Sequence, residues 1–174
     1  MSNSGNKNFE DGSVVLETEH ERRFLVSVED LPLGYFKSPS KYLVQGYPGD
    51  GSRVRSERDN SGVYEYFRER KTGEGVSREE VKQRLTKDTF NELFETVVCS
   101  LEKTRYYYPI DGGHVAEINC FHGKLHGYYQ IEVEFTSAEA AAAFVPPSWF
   151  GLEVTDDPKH SSYQLALQSK SLFA

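Results

Sequence analysis

Apolar and polar side chains alternate along much of the chain, and short turns interrupt the alternation. Turn signals include Pro48-Gly49-Asp50-Gly51, Asn60-Ser61-Gly62 and Asp111-Gly112-Gly113. Val, Ile, Tyr and Phe are frequent between the turns, and these side chains suit the pleated surface of a strand. The pattern predicts eight strands, near residues 14–26, 41–47, 52–58, 63–71, 77–86, 101–108, 113–121 and 127–135. Strands and turns at this spacing favour an antiparallel meander that closes into a barrel.

Three further segments have helical character. The first, over 88–100, carries an apolar stripe formed by Phe90, Leu93, Phe94 and Val97. Thr86 or Asp88 is expected to cap its start. The second, over 137–144, contains four consecutive alanines, which favour a helix. The third lies over about 161–172. The expected fold class is therefore α+β, an eight-stranded antiparallel closed β-barrel with helices packed on its outside.

The length and composition of the chain fit one compact domain. With 174 residues the chain can bury a core of its own, and we expect a single domain over 14–174 after a disordered segment over 1–13. No stretch approaches the ~20 apolar residues that a membrane-spanning helix needs. The two cysteines, Cys99 and Cys120, are too few for a disulfide framework. The sequence thus predicts a reduced, cytoplasmic protein without a membrane partner.

The charge balance and the absence of common motifs narrow the function classes. The net charge is −7 at pH 7, from 27 acidic and 20 basic side chains. Nucleic-acid backbones favour basic surfaces, so a nucleic-acid partner is not expected. The five histidines show no H-E-x-x-H spacing, and no G-x-S-x-G segment or P-loop is present. The sequence therefore lacks the signatures of a zinc protease, a serine hydrolase of that type and a P-loop nucleotide-binding protein.

Charged side chains recur with a period of two inside the predicted strands, so each set shares one face of its strand. The acidic positions are Glu19, Glu21, Glu80, Glu117, Glu132 and Glu134, and the basic positions are Arg23, Arg53, Arg55, Lys71, Arg78, Lys103 and Arg105. A single pair of this kind is most simply the solvated face of a half-buried sheet. Apolar residues lie between many of these charges, however. If the apolar face meets the outer helices, the charged face lines the interior of the barrel.

A charged interior is unfavourable unless its charges pair or hold ions. Guanidinium groups match the geometry of phosphate oxygens, and carboxylate oxygens favour Mg²⁺ or Mn²⁺. A mixture of both signs therefore suits a polyanion that binds together with a divalent cation. The pattern indicates metal-dependent phosphoryl chemistry.

The order of the charged segments resembles that of one known family. Glu19-His20-Glu21-Arg22-Arg23 resembles the E-x-E-x-K opening strand of the CYTH, or triphosphate tunnel metalloenzyme, family. The likeness continues in order through Tyr42-Leu43-Val44-Gln45-Gly46-Tyr47, Arg53-Val54-Arg55, Lys71 with Arg78-Glu79-Glu80, Lys103-Thr104-Arg105-Tyr106, Glu117-Ile118-Asn119, Ile131-Glu132-Val133-Glu134-Phe135, and Trp149-Phe150-Gly151 with Asp157 and Lys159. The E-x-E-x-K segment alone is weak, but the ordered series over roughly 17–168 is specific.

The resemblance implies a tunnel of eight antiparallel strands that binds a triphosphate group along its axis. It implies a phosphate clamp of Arg53, Arg55, Lys71, Arg78, Lys103 and Arg105, which Lys159 would close. It implies Mg²⁺ or Mn²⁺ held by Glu19, Glu21, Glu132 and Glu134, with Glu80, Glu117 and Asn119 as further ligands. The catalytic set would be Glu19, Glu21, Arg23 and Glu134. The expected partner is a small molecule that contains a triphosphate, and a homodimer is left open.

The chain also departs from the family pattern. Arg23 stands where lysine is usual, Lys82 where an acid is usual, and Asn119 where aspartate is usual. His160 and Ser162 replace a usual tyrosine and asparagine. The leading hypothesis is metal-dependent hydrolysis of inorganic tripolyphosphate. The alternatives are a thiamine triphosphatase, an adenylyl cyclase that converts ATP to cyclic AMP, and a non-catalytic module that binds triphosphate.

Overall fold

A computed structural model of the protein describes residues 12–171, and within this range eight strands close into an antiparallel barrel. The strands are β1 (Val14–Leu25), β2 (Ser40–Tyr47), β3 (Arg53–Asp59), β4 (Tyr64–Thr72), β5 (Ser77–Leu85), β6 (Cys99–Ile110), β7 (His114–Phe121) and β8 (Tyr129–Phe135). The helices are α1 (Lys87–Phe94), α2 (Ala138–Ala143) and α3 (Ser162–Ser171). Around the barrel the order is β1-β5-β4-β3-β2-β6-β7-β8, and β8 pairs with β1. The predicted α+β barrel is confirmed.

The register of the strands separates an inner from an outer set of side chains. Residues that lie opposite each other on neighbouring strands point to the same side of the sheet. Arg23 on β1 lies opposite Glu132 on β8, and Glu132 lies opposite Glu117 on β7. The apolar residues between these positions, such as Ile131 and Val133, are fully buried on the other side. The structure therefore places the charged face inside the barrel and the apolar face outside.

Two helices cover the outer face. The helix α2 and the segment after it pack on β1, β7 and β8, in a core that includes Phe24, Ile118, Ile131, Val133, Ala141 and Phe144. The helix α1 packs on β3 and β4, where Phe90 contacts Val54 and Leu85. A side chain at Gly46 would place its Cβ only 2.6 Å from the Cγ1 of Val97. Glycine at this position therefore lets the segment after α1 lie directly on the sheet.

The predicted helix over 88–100 is too long. The helix α1 ends at Phe94, and β6 already begins at Cys99. The residues between include Thr96, Val97 and Val98, whose β-branched side chains disfavour a helix. The backbone N–H of Val98 donates to the carbonyl oxygen of Tyr47 at 2.8 Å, which starts the pairing with β2. At the other end the Thr86 cap is confirmed, because its side chain accepts from the N–H of Thr89 at 3.1 Å.

The segment after α2 returns to the first strand. Pairing of β1 with β5 stops at His20, and backbone hydrogen bonds join the rest of β1 to residues 151–154. The N–H of Gly151 donates to the carbonyl oxygen of Leu25, and the N–H of Val154 donates to that of Arg23, both at 2.8 Å. The segment thus continues the sheet beside β1 and leads into α3.

The helix α3 differs from the other two in where it packs. Leu165 and Ala166 of α3 contact Tyr47, Leu101 and Phe121. Lys103 lies opposite Phe121 and is two residues from Leu101, so these contacts belong to the interior side of the strands. The helix therefore closes one end of the barrel, which its sequence did not predict.

The described residues begin at Gly12, just before β1, and end at residue 171 in α3. The disordered segment expected over 1–13 lies outside the described residues, apart from Gly12 and Ser13. The carbonyl oxygen of Ser13 accepts a hydrogen bond from the N–H of Arg84 at 3.1 Å. Between residues 12 and 171 none of the helices is both long enough and apolar enough to cross a membrane.

Candidate active site

A cavity of about 440 Å³ opens into the barrel at the end where α3 begins. Its lining has a charged and an uncharged part. The charged part contains the bases Arg23, Arg53, Lys71 and Arg78 together with Glu21, Glu69 and Glu132. The uncharged part contains Tyr47, Gly49, Gly51, Ser52, Ser161, Ser162 and Tyr163. Five strands supply the charged wall, and the β2–β3 turn and the start of α3 supply most of the uncharged wall.

Two of the cavity bases have a single carboxylate partner each within the described residues. The Nζ of Lys71 lies 2.5 Å from the Oε2 of Glu19, and the Nη2 of Arg78 lies 3.5 Å from the Oε1 of Glu21. Both basic side chains keep 22% of their surface exposed. Burial lowers the pKa of Lys71, but the charges of Glu21 and Glu19 outweigh it and leave the pKa above its ordinary value. Both bases are thus charged and accessible from the cavity.

Three other predicted phosphate ligands lie deeper and do not line the cavity. The Nη2 of Arg55 lies 2.8 Å from Glu57 and 2.7 Å from Glu69. Arg105 pairs with Glu117 at 2.6 Å and also with Glu132. Lys103 is 1% exposed, and burial lowers its pKa to about 7. The structure therefore divides the predicted clamp into a cavity group and a deeper group that is already paired or desolvated.

Several interior carboxyl groups hold their protons more tightly than usual. Burial, a hydrogen bond that the protonated Glu80 donates to the Glu19 carboxylate, and the charge of Glu69 raise the pKa of Glu80 to about 7. Burial raises the pKa of Glu117 to about 8, although Arg105 opposes the shift. Burial and the charge of Glu21 also raise the pKa of Glu134. These three carboxyl groups therefore remain protonated to higher pH than exposed carboxyl groups do.

Glu132 shows the opposite behaviour. Burial would raise its pKa, but the charges of Lys103 and Arg105 outweigh burial and hold the pKa below its ordinary value.

Across residues 12–171 no three His, Cys, Asp or Glu side chains converge into a preformed metal site. Any cation bound by these carboxylates would therefore need oxygen ligands from elsewhere.

Arg23, predicted as catalytic, reaches the C-terminal segment. Its Nη2 donates to the carbonyl oxygen of Thr155 at 3.2 Å, and its Nη1 donates to that of His160 at 3.3 Å. Its Nε lies 3.7 Å from Glu21. His160 also contacts Tyr128, with 2.7 Å between its Nδ1 and the tyrosine hydroxyl. Arg23 thus borders the cavity and also anchors the segment that leads to α3.

Other predicted residues lie in unexpected surroundings. Asn119 is fully buried, and its Oδ1 accepts a hydrogen bond from the Nε of Arg105 at 2.9 Å while its Nδ2 donates to the carbonyl oxygen of Glu117. Lys159 is exposed on a short turn and does not line the cavity. The Nζ of Lys82 lies 3.5 Å from Glu69 and 4.1 Å from the ring centre of Phe67. Glu134, predicted to hold metal, lies opposite Glu21 on the interior face of the strands, but its side chain is still accessible to solvent.

The charge pattern did not identify several interior residues, and four of them border the predicted site. Glu69, which is 2% exposed, accepts a hydrogen bond from the Nε of Arg53 at 2.7 Å. Glu57 accepts one from the Nζ of Lys41 at 2.6 Å. Both extend the period-two pattern, because each lies two residues from a predicted base, so the pattern could have identified them. Gln45 and Tyr47 also face the interior but carry no formal charge, and the charge pattern therefore gave no signal for them.

Comparison with known proteins gives similar chains of almost the same length. No protein-family model matches the chain. It is 38% identical to an inorganic triphosphatase of Nitrosomonas europaea over 154 residues, which cover 86% of this chain and 97% of the relative. It is 30% identical to an inorganic triphosphatase of Acetivibrio thermocellus over 156 residues, which cover 84% of this chain and 92% of the relative.

Solved structures agree with these relatives. The structure of the inorganic triphosphatase NE1496 is 33% identical, has a TM-score of 0.59, and covers 86% of this chain and 94% of its own. A structure of the hypothetical protein NE1496 is 36% identical with the same TM-score, and it covers 86% and 97%. Because this similarity extends over most of each chain and the barrel interior carries the charged strands in the order of the family, the chain belongs to the CYTH, or triphosphate tunnel metalloenzyme, family.

Proposed function

We propose that the protein is a divalent-metal-dependent hydrolase of inorganic tripolyphosphate, and that the cavity beside α3 is its active site. The observation that carries this proposal is the charged wall, where Arg53, Lys71 and Arg78 share one cavity with Glu21 and Glu132. Relatives named inorganic triphosphatase, similar over most of their length, support the choice of substrate.

In the proposed binding mode a triphosphate replaces the carboxylate partners of two cavity bases. Lys71 and Arg78 are each paired with one carboxylate and remain accessible. Phosphate oxygens carry more charge than a carboxylate and match the donors of arginine. A bound triphosphate would therefore take over these bases and release Glu19 and Glu21 to bind a cation.

The interior carboxylates fit a divalent cation. Burial, with a smaller effect of neighbouring carboxylates, raises the pKa values of Glu80 and Glu117 to about 7 and about 8, and a bound cation would favour their ionised forms. We assign Mg²⁺ or Mn²⁺ to hard oxygen ligands on β1 and β8, with phosphate oxygens and water completing the coordination. These ligands are Glu19, Glu21, Glu132 and Glu134, with Glu80 and Glu117 as further acids. When bound, the cation would neutralise phosphate charge and activate water.

Asn119, which the family pattern places among the ligands, has a different proposed role. Both ends of its amide are bonded within the protein, to Arg105 and to the backbone of Glu117. We propose that it orients Arg105. Turning this fully buried amide toward a metal ion would break hydrogen bonds that are already satisfied.

The protein's own contribution is positioning and electrostatic stabilisation. In the proposed reaction a water oxygen bonds to a terminal phosphorus, the bridging P–O bond breaks, and orthophosphate and pyrophosphate leave. Arg53, Lys71 and Arg78 hold the phosphate oxygens and stabilise the charge of the transition state. Arg23 holds the segment that bears Ser161 and Ser162 against the cavity.

A panel of substrates and metals tests the proposal. Phosphate release from tripolyphosphate, thiamine triphosphate and ATP is measured with Mg²⁺, with Mn²⁺ and after chelation. We expect turnover of tripolyphosphate that chelation abolishes, and near-complete loss in the double variant Glu132→Ala/Glu134→Ala. The control Glu139→Ala removes an exposed carboxylate from α2 and keeps activity.

Other outcomes of the panel select other functions. Cyclic AMP in place of free phosphate identifies a cyclase, and preferred turnover of thiamine triphosphate identifies that substrate. Tight binding of tripolyphosphate in calorimetry without turnover identifies a binding module. Absence of metal-dependent turnover on all three substrates contradicts the hydrolase.

We also propose that the protein works in the cytoplasm. Cys99 is buried and Cys120 is partly buried, and both are free thiols in the structure. Free thiols without disulfides are typical of proteins in a reducing compartment. Locating a tagged full-length chain in cell fractions tests this, and recovery outside the cytoplasm contradicts it.

A further inference from the structure

The side-chain amide of Gln45 is buried inside the barrel without a hydrogen-bond partner. The residue is 0% exposed, and neither its Nε2 nor its Oε1 has a partner among the described residues. Gln45 lies opposite Arg55 on β3 and opposite Leu101 on β6, so its side chain faces the interior. Buried polar groups are almost always hydrogen-bonded, and one that is not is destabilising. Both polar atoms of this amide are therefore available for hydrogen bonds to a bound ligand or to water.

Gln45 occupies the next interior position on β2, one step deeper than a residue that lines the cavity. Tyr47, two residues further along the same face of β2, lines the cavity. Two residues of a strand span about 7 Å. The neighbouring strand repeats the arrangement, because Arg53 lines the cavity and Arg55 lies one step deeper. The Nε of Arg55 also lacks a hydrogen-bond partner. The layer below the cavity thus offers unused donors and an unused acceptor on adjacent strands.

A second buried glutamine differs from Gln45 because one end of its side-chain amide is bonded within the protein. Gln130 on β8 is also 0% exposed and lies opposite Asn119, on the interior side. Its Oε1 also lacks a hydrogen-bond partner among the described residues, but its Nε2 donates to the carbonyl oxygen of His160 at 2.9 Å. Gln130 therefore holds the C-terminal segment in place, whereas the amide of Gln45 holds nothing in the protein.

We propose that Gln45 contacts the inner end of the bound triphosphate, an inference that rests on the proposed function. Its Nε2 donates to an oxygen of the innermost phosphate, beside the Nε of Arg55. Its Oε1 accepts a hydrogen bond from a water molecule at that phosphate. Arginine and lysine side chains can only donate, whereas an amide both donates and accepts. Gln45 thus adds to the basic clamp a group that can orient water next to phosphate.

The test compares the stability of the ligand-free protein with its affinity for tripolyphosphate. Gln45→Met keeps the approximate size of the side chain and removes both unsatisfied polar atoms. We expect the melting temperature of the ligand-free variant to equal or exceed that of the natural protein. In calorimetry with tripolyphosphate and Mg²⁺ we expect the Kd to rise about tenfold or more, as for a lost hydrogen bond to a charged group. Gln45→Glu, which brings a negative charge to the phosphate, should raise the Kd further.

Gln130→Met is the matched control, because it removes an equally buried amide that is bonded within the protein. We expect it to lower the melting temperature of the ligand-free protein. If Gln45→Met lowers the melting temperature as much, or does not fold, the Gln45 amide is structural and the inference is wrong. It is also wrong if Gln45→Met binds tripolyphosphate as tightly as the natural protein does. If the natural protein itself neither binds nor hydrolyses tripolyphosphate, the proposed function fails as well, so the two failures are distinct.

Discussion

The bases inside the barrel form two groups that differ in how they are neutralised. Lys71 and Arg78, at the cavity, each pair with one carboxylate within the described residues. Arg55 and Arg105, in the deeper layer, each lie between two carboxylates. The same residue types at the same spacing thus serve two purposes. Double pairing holds the strands of the barrel together, and the singly paired bases keep capacity for an anionic ligand. Two bases do both, Arg53 because it lines the cavity beside Glu69 and Glu80, and Arg55 because its Nε has no hydrogen-bond partner in the described part of the chain.

Removing a doubly paired base should have the largest effect. In Arg105→Ala, Glu117 loses its ion pair, Asn119 loses a hydrogen-bond donor, and Glu132 keeps only Lys103 of its two main cationic neighbours. Breaking a buried ion pair is strongly destabilising. We expect the free energy of unfolding to fall by about 3–5 kcal/mol. Urea denaturation measures this change, and Lys37→Ala, at an exposed position, is the control. A loss of only about 1 kcal/mol, the range of exposed pairs, would contradict the division into two groups.

Acid should weaken the ion pairs of the deeper bases as the pH falls from about 4.5 toward 2. Burial would raise the pKa of Glu57, but Arg55 and Lys41 outweigh it and lower the pKa from 4.5 to about 2. The unfolded chain therefore takes up this proton first, and the stabilisation is complete above about pH 4.5 and lost as the pH falls toward 2. We expect a contribution of up to about 3 kcal/mol.

Unfolding measured between pH 2 and 6 checks this expectation. The difference in unfolding free energy between the natural protein and Glu57→Gln should shrink as the pH falls. Parallel curves over the whole range would show that Glu57 is not held in its charged form by Arg55 and Lys41.

Removing a singly paired base should affect binding more than stability. In Arg78→Ala only an ion pair of 3.5 Å is lost, so the free energy of unfolding should change by less than about 1 kcal/mol. The Kd for tripolyphosphate should rise about ten- to a hundredfold, as for a lost charged hydrogen bond. Arg78→Lys should recover part of the affinity. Unchanged affinity in calorimetry would remove Arg78 from the binding group.

Lys159 should give the smallest effect. It is exposed and lies outside the cavity lining, although the family pattern places it in the clamp. We expect Lys159→Ala to change stability by less than about 0.5 kcal/mol and the Kd by less than about twofold. A tenfold higher Kd would instead show that the turn Pro158–His160 closes over the ligand. Lys159 would then form a third group of bases, exposed without ligand and bound to phosphate with it.

The alternation of side chains was enough to predict the barrel and its charged interior. The period of a strand fixes which residues share a face, so Glu132 with Glu134 and Arg53 with Arg55 could be grouped from the sequence. The end of α1 was missed because Phe94 and Val97 continue the apolar stripe, and only the pairing of Val98 with Tyr47 ends the helix.

Other features depend on contacts between distant parts of the chain. Nothing in the sequence of α3 predicts that it packs on the interior side of the barrel, because its position follows from the pairing of residues 151–154 with β1. The two groups of bases could not be separated either, since the pairing of Arg55 with Glu69 depends on the register of β3 and β4. The amide of Gln45 carries no charge, and its lack of a partner is visible only in the structure.

Closure of the barrel between β1 and β8 also determines how the protein can fold. These strands lie near opposite ends of the described chain, so their pairing is a contact of very long sequence separation. Proteins rich in such contacts fold in milliseconds to seconds, because loop entropy is lost before the contacts form. Arg23 and Glu132 lie opposite each other across this closure, so we expect them to lose water when β1 and β8 pair. We therefore expect the main kinetic barrier to coincide with dehydration of the interior.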